Sequence, residues 1–350
     1  MVRMDFGIET IRAAAERLEG RVRRTPLLSS PMLDELCGAT VLVKAEALQL
    51  TGSFKIRGAL NTLLSLTDAE RAAGVLAFST GNHGQAVAAS ARMTGSTATI
   101  VMPQDAPQIK VDGCRWWGAE VVFYDPATQD REVVGRELVE QRGLTLVHPY
   151  DDVRVMSGQG TVGLEIVDQL REGGHSPDAV VLPCSGGGLS SGVIEAVRST
   201  YDVAPFVVER HGYPKMARSL ASGRVEKVPA VPVFLDAIGS PTVGEHTLAA
   251  LSRHPITALE VTDDEARVAM REAVRTLKLV VEPGGSAALA AVLAQRKRFA
   301  GQTVVVVASG GNVDAPVLAD VLTASLSGPP DSGPQPRRAA SSSDVTSRSA

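Results

Sequence analysis

The sequence predicts an α/β protein with mostly parallel sheets and helices on both faces. Three observations predict it. Short apolar runs alternate with Ala-rich amphipathic stretches over most of the length. Several of those runs pass straight into glycine-rich turns that open helices. The chain has 350 residues, 44% of them hydrophobic, enough to bury one large core or two smaller ones.

Taken in order, the expected strands are Thr40–Lys44, Val75–Phe78, Thr97–Val101, Glu120–Tyr124, Thr145–Val147, Ala179–Leu182, Pro205–Val208 and Thr303–Ala308. They read as near-continuous apolar runs, the pattern of strands covered on both faces. Between them the helical expectations include Gly84–Met93, Asp130–Gln141, Gly163–Leu170, Asp263–Thr276 and Ser286–Arg296. After about Ala324 the composition shifts to Gly, Pro, Ser and Arg, so 326–350 is expected to be a disordered tail.

Bulk properties exclude several function classes. The formal charge of −4 offers no basic footprint for nucleic acid and no polybasic patch for a membrane. Cys37, Cys114 and Cys184 are odd in number and widely spaced, which argues against a disulfide framework or a zinc cluster. The first residues lack the apolar core of a signal peptide, and no run approaches the roughly 20 apolar residues of a membrane span. The expectation is a soluble cytoplasmic protein whose partner is a small molecule.

Four motifs are candidates to carry chemistry. Lys55 sits in Thr51-Gly52-Ser53-Phe54-Lys55-Ile56-Arg57-Gly58. Alone it would be an ordinary solvated lysine; at a loop–helix junction it can be desolvated, neutral and able to attack an aldehyde. Ser185-Gly186-Gly187-Gly188-Leu189 follows the run Ala179–Leu182 and precedes a helix expected from Ser190. Backbone N–H groups there can converge on an anion, aided by the helix dipole. Gly158-Gln159-Gly160-Thr161-Val162-Gly163 formally matches a dinucleotide fingerprint, but no acidic residue ends a strand about 20 residues later. The triple-glycine turn has Glu209 at that distance, yet Ser191 stands where a third glycine is needed. His83, in Thr80-Gly81-Asn82-His83-Gly84, reads either as a general base or as a hydrogen-bonded turn residue.

Taken together and in this order, the motifs resemble fold-type II pyridoxal-phosphate (PLP) enzymes, the threonine/serine dehydratase and serine racemase family, whose fold is tryptophan synthase β-like. The likeness runs from Arg24-Thr25-Pro26-Leu27 to Asn312-Val313-Asp314. It also includes Ser157–Thr161, Val281-Glu282-Pro283-Gly284-Gly285 and Ser309-Gly310-Gly311-Asn312. The resemblance implies PLP as cofactor and Lys55 as its Schiff-base lysine, freed by substrate to remove the Cα proton. It implies that Phe54 lies beside the cofactor, Asn82 bonds its ring hydroxyl, and Gly186, Gly187, Gly188 and Leu189 hold the phosphate. Glu282 would sit near the ring, and Ser309 would face the pyridine nitrogen, leaving it unprotonated and favouring β-elimination. Ser79, Thr80, Asn82 and His83 would receive the substrate carboxylate. Thr80 also occupies the position of the racemases' serine acid, so elimination ranks above racemisation.

Many relatives hold a divalent cation through a glutamate and an aspartate after the strand corresponding to Pro205–Val208. Here Glu209 is kept and Lys215 stands where an acid is expected. No metal is expected, with the Lys215 amine paired to Glu209 in its place. The resemblance further implies a large domain from 1–73 and 151–325, a small domain 74–150 inserted in it, the cofactor in the cleft between them, and a homodimer. The activity expected first is an L-threonine/L-serine ammonia-lyase. Alternatives are 3-hydroxyaspartate ammonia-lyase, serine or aspartate racemase, a non-catalytic protein that kept the fold, and a nicotinamide dehydrogenase.

Overall fold

The computed structural model describes residues 5–79, 81–106, 108–229 and 234–324. Among these described residues ten strands form two sheets: β1 (Leu27–Leu28), β2 (Thr40–Ala45), β3 (Val75–Phe78), β4 (Ala98–Pro103), β5 (Glu120–Tyr124), β6 (Thr145–Leu146), β7 (Ala179–Pro183), β8 (Ala204–Arg210), β9 (Thr257–Val261) and β10 (Thr303–Ala308). The larger sheet has the order β1-β2-β10-β7-β8-β9, and the smaller one β5-β4-β3-β6. Every pairing is parallel except β1 with β2.

The larger sheet shows why its strands read as unbroken apolar runs. In β10, Val304 and Val306 enter one core with Val43, Val181, Val208 and the helix Ala287–Ala294. Val305 and Val307 enter the opposite core with Leu42, Val180, Leu182 and Val207. Side chains alternate across a strand, so a sheet covered on both faces needs apolar residues at every position. The smaller sheet is covered likewise: Ala77 and Ile100 pack with the helix Asn82–Thr94, whereas Leu76 and Val101 lie under Val134 and Leu138 of the helix Arg131–Arg142. All four strands of the smaller sheet fall between Val75 and Leu146. Among the described residues no helix is long and apolar enough to cross a membrane.

Three departures from the sequence reading have physical causes. β1 has only two residues, and β9 is an edge strand with exposed Thr257 and Glu260, so neither presents a continuous apolar run. The helix expected over Gly163–Leu170 spans Val153–Glu172 and contains the whole Gly158–Gly163 motif. Those glycines are close-approach points. A Cβ on Gly158 would lie 2.5 Å from the Arg57 carbonyl oxygen, and one on Gly163 would lie 2.7 Å from Ala196 Cβ. They seat neighbouring helices and form no nucleotide-binding turn. The helix after the triple glycine begins at Gly188, two residues earlier than expected.

Candidate active site

Both sheets direct strand carboxyl ends toward one cleft of about 790 Å³. The turns after β3, β7 and β10 supply much of its wall, as expected for a ligand site of an open parallel sheet. Phe54, Lys55, Ser79, Asn82, His83, Gly186, Gly188, Leu189, Glu282 and Ser309 all line it. Thr80 lies outside the described residues. Gly187 does not line the cleft: a Cβ there would face Thr247 and Met216, and its φ of +97° makes it the left-handed hinge of the loop.

Lys55 begins the helix Lys55–Leu64. Phe54 N–H donates to the Ser309 carbonyl at 3.1 Å, and Ser53 bridges to Gly310, so the lysine is fixed beside the turn after β10. Its Nζ donates to the Pro149 carbonyl at 2.6 Å. Burial lowers Lys55 from 10.5 to about 8, opposed by the Glu282 carboxyl. The amine is therefore far easier to deprotonate than a surface lysine.

A hydrogen-bond chain crosses the cleft floor. Asn312 Nδ2 donates to Asn82 Oδ1 at 2.7 Å, and Asn82 Nδ2 donates to Glu282 Oε1 at 2.5 Å. Burial, reinforced by Asp236, raises Glu282 to about 8 against the pull of Asn82. His83 lies with Nε2 2.8 Å from the Val147 carbonyl. Because a carbonyl only accepts, that nitrogen carries the hydrogen, and Nδ1 is left buried without a partner. Burial, with Lys55 nearby, lowers His83 to about 3. It stays neutral at pH 7 and is a poor proton acceptor, so the turn-residue reading describes its side chain better than the general-base one.

The glycine loop is held from outside. Thr247 Oγ1 donates to the Gly186 carbonyl at 2.7 Å, and Gly244 N–H to the same oxygen at 3.2 Å. Asp151 accepts the backbone N–H groups of Glu245, His246 and Thr247 and so anchors that support. Facing the loop is Tyr150, stacked edge-on against His148 at 4.7 Å. A Cβ on Gly186 would fall on the Tyr150 ring, and one on Gly188 would lie 3.0 Å from Tyr150 Cα. Bare backbone at a helix start, in a space that side chains would fill, fits an anionic phosphate. An aldehyde-reactive lysine in the same cleft completes the fit to PLP.

Sequence reading missed several wall residues: His148, Tyr150, Arg131, Arg136 and Asp236. Lys110 Nζ meets Asp236 Oδ2 at 3.2 Å, joining the smaller sheet's flank to the larger unit. Among the described residues, Arg131 and Arg136 have no carboxylate within ion-pair distance. No cluster of His, Cys, Asp and Glu among them is arranged to hold a metal ion. Beneath the loop, Lys215 Nζ lies 3.3 Å from Glu209 Oε1, both side chains buried.

Comparison with known proteins agrees with this geometry. The pattern of the family described as "pyridoxal-phosphate dependent enzyme" matches residues 18–310. The chain is 42% identical over 310 residues to the L-threo-3-hydroxyaspartate ammonia-lyase of a Pseudomonas species, covering 88% of this chain and 96% of that one. It is similar in structure to a threonine deaminase from T.th., with a TM-score of 0.84 at 40% identity, covering 88% and 99% of the two chains. Maize serine racemase gives a TM-score of 0.85 at 33% identity, covering 91% and 97%.

Proposed function

The chain belongs to the family of pyridoxal-phosphate-dependent enzymes, with fold-type II architecture, and we propose that it is an ammonia-lyase for 2-amino-3-hydroxy acids, with 3-hydroxyaspartate foremost. The reading rests on one observation above the others: a desolvated lysine shares its cleft with a bare-backbone anion loop. When bound, PLP supplies an aldehyde for the substrate amine and a ring that accepts electron density from Cα.

The protein's own groups do the rest. Lys55 Nζ, neutral for a large part of the time near pH 8, takes the Cα proton. Asn82, ordered between Glu282 and Asn312, would hold the cofactor ring, and Ser309 would supply a hydroxyl to its nitrogen side. Gly186, Gly188 and Leu189 bind the phosphate, with Gly187 setting the turn. Ser79, Asn82 and His83 take the substrate carboxylate, while Tyr150 and His148 close the opposite wall. Water is lost across Cα–Cβ and returned on hydrolysis, so the net products are a 2-oxo acid and ammonia. The same proposal assigns 1–73 and 151–325 to a large domain and 74–150 to an inserted one.

Hydroxyaspartate is favoured because Arg131 and Arg136 line the cleft without carboxylate partners among the described residues. Both are exposed at the cleft wall, and a guanidinium there offers a planar fork of donors to a second substrate carboxylate. The 42% identity to a 3-hydroxyaspartate ammonia-lyase supports the same substrate. Threonine or serine is the second reading, supported by the likeness to threonine deaminase. Release of 2-oxo acid from L-threo-3-hydroxyaspartate, threonine and serine should be measured side by side. The expected result is the highest kcat/KM for hydroxyaspartate, reduced about tenfold or more in Arg131→Ala with threonine turnover unaffected. Highest kcat/KM for threonine, indifferent to Arg131, would select the second reading. Interconversion of serine or aspartate enantiomers without ammonia release would defeat both.

A further inference from the structure

Lys215 is buried, polar and unused by the chemistry above. It is 1% exposed, and its partner Glu209 is fully buried. Its Nζ lies 3.3 Å from Glu209 Oε1, 3.4 Å from the Cys184 carbonyl and 3.4 Å from the Ile238 carbonyl. An ammonium has three donors and no acceptor, so three oxygens match its capacity. Those oxygens belong to three separate segments: the end of β8, the residue immediately before the Ser185–Leu189 loop, and the Asp236–Ile238 turn. The loop and the turn both reach the cleft wall. Glu209 is itself fixed, because Oε1 accepts the Met216 N–H at 2.8 Å and Oε2 accepts the Ala217 N–H at 3.0 Å.

We propose that Lys215 is a resident cation that positions the phosphate loop, drawing Cys184 and the Ile238 turn onto Glu209. This rests on the PLP reading above and adds a positioning residue to it. A pair serving stability alone would need only Glu209. The two extra carbonyl contacts tie the loop's root to the cleft wall, so the lysine acts on cofactor affinity. It also occupies the oxygen-lined space from which Glu209 would otherwise hold a free cation.

Two variants test this in the full chain. Lys215→Met keeps the length and removes the charge; Lys215→Ala removes both and leaves a space. Wild type should take up PLP with affinity unchanged by magnesium or EDTA, and its PLP-free form should melt at the same temperature in either. Both variants should bind PLP about tenfold or more weakly, since a hydrogen bond to a charged group contributes at least that factor. Ammonium chloride should restore the affinity of Lys215→Ala saturably, whereas tetramethylammonium chloride at equal ionic strength should not. Lys215→Met, with the space filled, should not respond.

PLP affinity equal to wild type in either variant would overturn the proposal. So would a Lys215→Ala variant indifferent to ammonium, or a wild type stabilised by magnesium. If the single variants do not fold, the double variant Lys215→Met/Glu209→Gln removes both charges together. It should fold yet still bind PLP weakly, and wild-type affinity there would also overturn the proposal. Failure of the wild type to take up PLP would instead refute the functional reading.

Discussion

Glu282 is 4% exposed, and its carboxyl is raised from 4.5 to about 8 by burial and Asp236. In the cofactor-free protein it is therefore mostly neutral at pH 7. A carboxyl raised on folding contributes stability that is fully present below its unfolded pKa and is lost as pH rises through its folded value. Between pH 4.5 and 8 the unfolded chain has ionised this group and the folded chain has not. Stability then falls by about 1.4 kcal/mol per pH unit on account of this one residue. Glutamine has the shape of the neutral acid, and its amide oxygen accepts the same hydrogen bond from Asn82, but it does not ionise. Relative to wild type, Glu282→Gln should therefore gain about 2 kcal/mol in unfolding free energy between about pH 6 and pH 8, with the slope flattening near the folded pKa. Urea unfolding of both cofactor-free proteins at the two pH values measures this. Curves that change in parallel would mean that the carboxyl is already ionised when folded, and the reasoning would be wrong.

Lys55 predicts a second pH effect of opposite chemical origin. Its lowered value means that the rate of PLP uptake by the cofactor-free protein should rise with an apparent pKa of about 8; a rise delayed to the ordinary lysine range would contradict the desolvated site. Gly158→Ala places a methyl 2.5 Å from the Arg57 carbonyl oxygen and 2.7 Å from Gly58 Cα, both on the helix that carries Lys55. The two helices must part, at a cost of about 1–3 kcal/mol, and the melting temperature should drop by several degrees while PLP affinity weakens; an unchanged melting temperature would refute the packing role.

The legible parts of the site were those encoded locally. The turns after β3, β7 and β10 announce themselves because a buried parallel strand must end abruptly, and the following glycines have no alternative role in a strand or helix. Asn82 and Ser309 sit in such turns; the roles expected of them, and of Lys55 and Glu282, came from the order of the motifs and the family that order resembles. Tyr150, Arg131 and the Lys110–Asp236 pair carry no comparable signal, because their role comes from contacts across the cleft between the two sheets. A tyrosine in Pro149-Tyr150-Asp151-Asp152 or an arginine at a helix start is unremarkable until the opposite wall is in place. Gly158, Gly160 and Gly163 show the converse. A spacing shared with nucleotide turns served helix packing instead, and periodicity alone did not reveal the helix start at Val153, where Asp152 caps the Arg154 N–H at 2.7 Å. The Glu209–Lys215 pairing was legible because a cation was expected beside that carboxylate and a lysine lay a short step along the chain.

Borohydride reduction of the PLP-loaded protein, followed by peptide mass spectrometry, tests the central claim most directly. The pyridoxyl label should appear on the peptide bearing Lys55 and be absent from Lys55→Ala. A label on any other lysine, or a wild type that acquires none, would contradict the account.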